Sequence, residues 1–188
     1  AHADVSDFIS EISDPITFEV NGIWVRTFYT DTGWKLLAQQ GEAYTVTDLT
    51  KQGDTWERST DVTRLTEGRD YKDSCIKRCP NNDYLLISSA NTTGYNDSAY
   101  AFRFDEDFNL LSQSVIAESE PQYSFNDVNC ECSEFIQGAT FGLNHPTQYA
   151  NYFFPLTDDL QADGEPFLIS DITRANGGAT WSDLSTNR

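Results

Sequence analysis

The chain has 188 residues, with 30 acidic and 12 basic side chains and a formal net charge of −18. Nucleic acid and anionic membranes would repel such a charge, so we exclude both as partners. Hydrophobic residues make up 38% of the sequence, enough for a folded core, and no run of about 18 apolar residues predicts a transmembrane helix. We expect residues 1–188 to form a single domain.

The first predicted element is a short helix over residues 5–12, which places four apolar side chains on one face. Asp14-Pro15 ends this helix, because a residue that precedes proline avoids helical geometry. The sequence that follows is rich in Tyr, Phe, Trp, Thr and Val, which is typical of β-structure. We therefore predict a mostly β protein after one N-terminal helix.

Three hairpins and one further strand are predicted in the rest of the chain. They pair residues 41–49 with 54–65, residues 81–90 with 98–107, and residues 135–143 with 149–156, and the last strand covers 165–173. Residues 108–118 space Leu111 and Val115 as on a helix but also fit a strand-turn-strand, so both interpretations stay open. An aromatic strand followed by an acidic turn recurs after about 50 residues, which would suit propeller blades.

The four cysteines lie in two segments, Cys75 with Cys79 and Cys130 with Cys132. If residues 130–132 are extended, both cysteines point to one face and are too close to bond comfortably with each other. We therefore predict two disulfides that join the first segment to the second, with the pairing left open. Zinc binding is the alternative, but these spacings differ from the usual Cys-x2-Cys.

Two disulfides predict a secreted, extracellular protein. The chain has no Met and begins with Ala-His-Ala, which suggests a processed N-terminus, from signal-peptide removal or from an edited sequence. Asn91 and Asn96 each begin an Asn-x-Ser/Thr sequon in a polar stretch between two predicted strands. We therefore predict a glycoprotein.

No catalytic residue is assigned, and we predict a protein that is not an enzyme. The histidines are His2, near the N-terminus, and His145, in an Asn-His-Pro turn, and no Gly-x-Ser-x-Gly elbow is present. The enzyme alternative is a glycosidase with two carboxylates. Its candidates are the acidic residues in or beside apolar strands, Glu19, Glu42, Asp73 and Glu134.

Asp105, Asp107 and Asn109 place oxygen ligands at alternate positions, as in the first half of a calcium loop. Leu110 stands where an EF-hand has its glycine, and Ile116 stands where it has its bidentate glutamate. We therefore exclude an EF-hand and favour a solvated acidic turn, with weak calcium binding as the alternative.

Residues 174–181 resemble the Asp-box of sialidase-like propellers, with Arg174 in place of its Ser and Asn176 in place of its Asp. In that family the box is a structural turn and not the catalytic centre. An alternative function is therefore a secreted glycan-binding module or a carbohydrate-active enzyme on a β-sandwich or small propeller. Trp56 and Trp181 would stack on sugar rings in such a module.

Gly22 and Trp24 follow the predicted helix and begin a strand. This arrangement resembles the Gly-x-Trp motif of the lipocalins, whose tryptophan packs across the closed end of an eight-stranded barrel. Residues 82–84 are similar to the family's second motif, and Arg103 falls near the arginine of the third. The resemblance covers about residues 5–118, and it departs from the family at Val25, where tyrosine is common.

The lipocalin resemblance implies a closed antiparallel β-barrel with a short N-terminal helix. It implies a carrier that holds a small hydrophobic molecule, such as a pigment or lipid. The aromatic side chains predicted to line the barrel are Trp34, Tyr44, Tyr84 and Phe102. A glycan is the alternative partner, and a homo-oligomer through surface aromatics is left open.

Overall fold

A computed structural model describes residues 23–53, 55–66, 68–91, 98–118, 124–145 and 148–173. These residues form twelve strands: β1 (Ile23–Thr30), β2 (Gly33–Gln40), β3 (Ala43–Gln52), β4 (Thr55–Arg64), β5 (Asp70–Arg78), β6 (Tyr84–Asn91), β7 (Ser98–Phe104), β8 (Leu110–Glu118), β9 (Ser124–Cys132), β10 (Gln137–His145), β11 (Gln148–Pro155) and β12 (Phe167–Thr173). The helix predicted over residues 5–12 lies outside the described residues.

The strands form three separate antiparallel sheets of four strands each. Sheet 1 contains β1–β4, sheet 2 contains β5–β8 and sheet 3 contains β9–β12, and within each sheet every strand pairs with the next one in the chain. The predicted closed barrel is therefore wrong. A barrel needs one continuous ladder of hydrogen bonds, whereas the ladder in the described residues stops after β4 and again after β8.

The predicted hairpins are confirmed as the pairs β3–β4, β6–β7 and β10–β11, and the predicted last strand is β12. The helical interpretation of residues 108–118 is wrong, because β8 covers Leu110–Glu118 and pairs with β7. Leu111 and Val115 are exposed on this outer strand. Their spacing therefore does not mark the buried face of a helix.

Sheet 2 lies between the other two sheets, and its central strands β6 and β7 are buried on both faces. Side chains of β6 alternate between the two cores: Leu85 and Ile87 pack against sheet 3, whereas Tyr84 and Leu86 pack against sheet 1. All but the last residue of β6 are buried. Because successive side chains of a strand point to opposite faces, β6 contributes to both apolar cores. This is typical of a layered protein in which a sheet is covered on both faces.

Two disulfides join sheet 2 to sheet 3, as the sequence predicts. Cys75 bonds Cys130 and Cys79 bonds Cys132, with Cα–Cα distances of 5.7 and 5.0 Å. Cys130 and Cys132 share one face of β9 because they lie two residues apart on a strand. Both bridges are compatible with an extracellular protein, since disulfides persist in oxidising compartments.

The first strands of the three sheets meet at the carboxylate of Asp73 on β5. Its Oδ1 accepts hydrogen bonds from Arg26 Nη2 of β1 at 2.8 Å and from the Ser74 backbone N–H at 2.9 Å. Its Oδ2 accepts the backbone N–H of Val128 on β9 at 2.9 Å. The side chain is 16% exposed. One carboxylate therefore links all three sheets, and we call this cluster the Asp73 junction.

A β-bulge interrupts each first strand near the Asp73 junction. The bulges place residues 24–25 of β1, 72–73 of β5 and 127–128 of β9 opposite a single residue of the neighbouring strand. A bulge turns a backbone N–H or a side chain out of the regular ladder. In β5 and β9 the bulged residues are the ones that meet, Asp73 and Val128.

Candidate functional site

The outer face of sheet 3, opposite the face that packs on sheet 2, carries an apolar groove. One row of side chains crosses all four strands through Asn129, Thr140, Phe153 and Phe167, which are register partners. The rings of Phe153 and Phe167 lie 5.2 Å apart, centroid to centroid. Ile136 and Ile169 complete the apolar wall. We call this feature the sheet 3 groove.

Gly138 on β10 gives the groove its depth. A Cβ atom at this position would lie 2.4 Å from Phe153 Cζ and 2.4 Å from the carbonyl oxygen of Phe154. Only glycine therefore leaves the Phe153 ring the space that it occupies beside β10. Phe153 is 6% exposed in consequence, although it points away from the core between sheets 2 and 3.

The groove holds about 300 Å³ and its floor and walls are mostly apolar. Cys130, bonded to Cys75, contributes to the floor, so a disulfide fixes that position. Glu131 at the rim is the one ionisable side chain among the described lining residues, and its carboxylate pairs with Lys77 Nζ at 2.6 Å. A two-carboxylate hydrolysis needs a second acid, which these residues do not supply.

The structure divides the four predicted ligand-lining residues between a buried core and an exposed surface. Tyr44, Tyr84 and Phe102 are buried in the core between sheets 1 and 2. Trp34 lies on sheet 1, 43% exposed, with its ring edge-on to Tyr29 at 5.5 Å. Ligand binding by these residues stays a prediction, but the closed barrel that it assumed is not formed by the described residues.

Tyr44 is the most constrained of these aromatic residues. Its hydroxyl donates to the carbonyl oxygen of Lys72 at 2.5 Å and lies 2.9 Å from Ser88 Oγ. Burial raises the pKa of the Tyr44 phenol far above its ordinary value of 10.0. The phenol therefore stays neutral and holds sheet 1 to the bulge of β5.

Three residues carry the lipocalin resemblance, and of these Gly22 and the side chain of Trp24 lie outside the described part of the structure. Arg103 is described and buried on β7. Its Nη2 donates to Gln137 Oε1 on β10, and its Nη1 lies 3.5 Å from Asp83 Oδ2. Arg103 therefore ties sheet 2 to sheet 3.

The candidate acids and histidines occupy separate places. Asp73 forms the Asp73 junction, Glu42 lies exposed in the turn between β2 and β3, and Glu134 lies exposed in the turn after β9. His145 ends β10. Glu19 and His2 lie outside the described residues, as do Asn96, Trp181 and residues 174–181. Asn91, the other sequon asparagine, ends β6 and is half-buried, and Trp56 lies half-buried on β4.

The predicted calcium turn is closed by its own hydrogen bonds. Asp105 Oδ1 accepts the backbone N–H groups of Asp107 at 3.0 Å and Asn109 at 2.8 Å, and its Oδ2 accepts Asn109 Nδ2 at 2.9 Å. Nowhere in the described ranges do three His, Cys, Asp or Glu side chains gather as metal ligands. Calcium binding at this turn stays a prediction.

The stability of the Asp105 turn should depend on pH. The Asn109 side chain, followed by the Asn109 backbone N–H, lowers the pKa of Asp105 below its ordinary value of 3.8. Because the pKa of Asp105 is lower in the folded state than in the unfolded state, its ionised carboxylate stabilises the fold fully above pH 3.8. This contribution is lost as the pH falls below that value.

Carboxyl 13C NMR should show that Asn109→Ala raises the Asp105 pKa. Asn81→Ala, in another turn, should leave it unchanged, and an equal rise in both variants would contradict the assignment.

Sequence reasoning missed the residues that form the sheet 3 groove, namely Ile136, Phe153, Phe167 and Ile169. A usable signal exists in the two runs that contain them. Phe153 and Phe154 are adjacent, as are Phe167 and Leu168. Adjacent apolar residues on a strand point to opposite faces, so both faces of sheet 3 must carry apolar surface.

Comparison with protein-family models and with curated proteins finds no match for this chain. In the described residues there is no helix with the length and apolar character needed to cross a membrane.

Proposed function

We propose that this protein is a secreted, non-enzymatic binding protein that holds a small apolar molecule in the sheet 3 groove. The observation that carries the proposal is an apolar cavity of about 300 Å³ beside exposed aromatic side chains. Ligand sites are typically concave and mostly apolar, with few polar groups at their edges. Asn129, Glu131 and Thr140 provide such groups here.

The surroundings of the groove support a preformed site. Its floor is fixed by the Cys75–Cys130 disulfide, and its depth depends on Gly138 rather than on a side chain that must move. A rigid cavity loses little conformational entropy when a ligand enters. The two disulfides favour secretion, and the charge of −18 favours solubility of a protein with an exposed apolar site.

A fluorescent apolar probe tests this proposal. N-phenyl-1-naphthylamine should bind the wild-type protein with one site and an increase in fluorescence. Phe167→Asp places a charge in the groove and should weaken binding about tenfold or more, because a carboxylate must then be desolvated or the cavity left wet. Affinity is measured by titration of the probe at constant protein concentration.

Leu111→Asp is the matched control. Leu111 is 53% exposed on the outer strand of sheet 2, and Phe167 is 52% exposed on the outer strand of sheet 3. The control should keep the wild-type affinity. Equal loss in both variants, or no saturable binding by the wild-type protein, would overturn the proposal.

A further inference from the structure

A second cavity, of different chemical character, opens on the face of sheet 2 that packs against sheet 1. It holds about 360 Å³ and its described lining is largely polar. The floor is formed on sheet 2 by the register partners Tyr100 with Val115 and Phe102 with Gln113. The wall is formed by Gly68 and Arg69, which lead from sheet 1 into β5, and by Tyr71 of β5. We call this cavity the Arg69 cleft.

Arg69 dominates the electrostatics of the cleft's described lining. Its guanidinium lies over the ring of Tyr100, 4.9 Å from the centroid. The side chain is exposed, and Gly68 before it has a φ of +74°, which turns the chain at the mouth of the cleft. A guanidinium stacked in this way keeps its N–H donors free to point outward along its plane.

Arg69 differs from most of the described basic residues in its partner. Several others form ion pairs with carboxylates: Arg26 with Asp73, Lys35 with Asp48, Lys77 with Glu131, Arg78 with Asp31 and Arg103 with Asp83. Within the described ranges, the Arg69 guanidinium lies on an aromatic face instead. Among the described residues, a cation that faces a cavity and an aromatic ring in place of a carboxylate can take an anionic ligand.

We propose that the Arg69 cleft binds a small hydroxylated carboxylate, of which the hexuronates are the common class. Arginine recognises a carboxylate through two parallel hydrogen bonds. The Gln113 amide, which lines the cleft, supplies donors and an acceptor for hydroxyl groups. The volume accommodates a single sugar ring, and a polyanion is disfavoured by the net charge of −18.

This inference is independent of the sheet 3 groove. The Arg69 cleft lies on the face of sheet 2 that packs against sheet 1, whereas the groove lies on the outer face of sheet 3, which packs against the opposite face of sheet 2. Arg69→Gln should therefore leave the binding of the apolar probe unchanged. Failure of one proposal does not imply failure of the other.

The test is an NMR titration of the 15N-labelled protein with D-glucuronate, at constant ionic strength. We expect saturable shifts of the amides of Tyr71, Tyr100 and Val115, with a dissociation constant on the order of 1 mM, the range of a weak single-ring ligand. D-glucose, which lacks the carboxylate, should bind at least about tenfold more weakly. Arg69→Gln should weaken glucuronate binding by a similar factor.

Lys51→Gln removes the same charge from an exposed position at the end of β3, so it serves as the control for a general charge effect. It should leave the glucuronate affinity unchanged. Thermal unfolding of both variants confirms that they are folded. The proposal is overturned if glucuronate causes no saturable shift at the cleft, if glucose binds equally well, or if the two variants behave alike.

Discussion

Replacing all four cysteines by alanine should lower the free energy of unfolding by about 7 kcal/mol, and each single-bridge variant should lose only about 2.5 kcal/mol. The bridges span 55 and 53 residues, so either one alone closes a long loop in the unfolded chain. The resulting loss of chain entropy stabilises the folded state by about 4 kcal/mol. Once one bridge exists, the other closes a ring of only about eight residues, which restricts the unfolded chain by about 2.5 kcal/mol.

The diagnostic result is therefore a loss in the quadruple variant that exceeds the sum of the two double variants by about 2 kcal/mol. The double variants are Cys75→Ala with Cys130→Ala, and Cys79→Ala with Cys132→Ala. Urea unfolding followed by tryptophan fluorescence measures all four proteins. Simple additivity of the two losses would show that the bridges act through native packing rather than through the unfolded chain.

Asp73→Ala should lower the free energy of unfolding by about 3 kcal/mol. The substitution removes the carboxylate that accepts three hydrogen bonds. The Val128 N–H and the Arg26 guanidinium then lose their acceptor at Asp73. Asp73→Asn should lose nearly as much. An amide offers one acceptor oxygen, so its NH2 group must face either the guanidinium or a backbone N–H.

Asp48→Ala is the control for the Asp73 junction. Asp48 also pairs with a basic residue, Lys35, but its side chain is 60% exposed and both residues belong to sheet 1. An exposed ion pair contributes about 0–1 kcal/mol. If urea unfolding finds the same small loss for Asp48→Ala and Asp73→Ala, the three sheets are held together by their apolar cores, and the shared carboxylate adds nothing.

The features that could be predicted from the sequence are local ones. Hairpins are set by turn residues close in the chain, such as Gly53 between β3 and β4, where φ is +63°. The two disulfides were also predictable as links between segments, because Cys130 and Cys132 must share a face of an extended strand. Their pairing was not, because it depends on how β5 and β9 pack.

The closed barrel was wrong because closure is not a local property. Gly22 and Trp24 resemble a barrel motif, but a short motif does not determine whether β4 continues its ladder into β5. A better indicator lay in β6, where Tyr84 to Ile87 is an unbroken apolar run. Such runs are typical of strands covered on both faces, and they favour stacked sheets over a barrel with a solvated outer surface.

The candidate site was missed for a related reason. Phe153 and Phe167 are distant in the sequence and become neighbours only through the register of β11 with β12. Gly138 is required because the Phe153 ring lies against it, and no turn or motif in the sequence indicates this contact. The bulges that form the Asp73 junction likewise require knowledge of the partner strand, since a bulge is a difference in length between two paired segments.

The position of sheet 2 between its neighbours has a consequence for synthesis on the ribosome. Sheet 1 emerges first, yet its apolar face stays uncovered until β6 and β7 have followed. The native partners of Cys75 and Cys79 lie on β9, which is synthesised later. Until β9 appears, these thiols can oxidise only with each other or with another molecule. We therefore expect the apolar surface of the nascent chain to need protection until Cys132 has left the exit tunnel, and any bond between Cys75 and Cys79 to need thiol exchange.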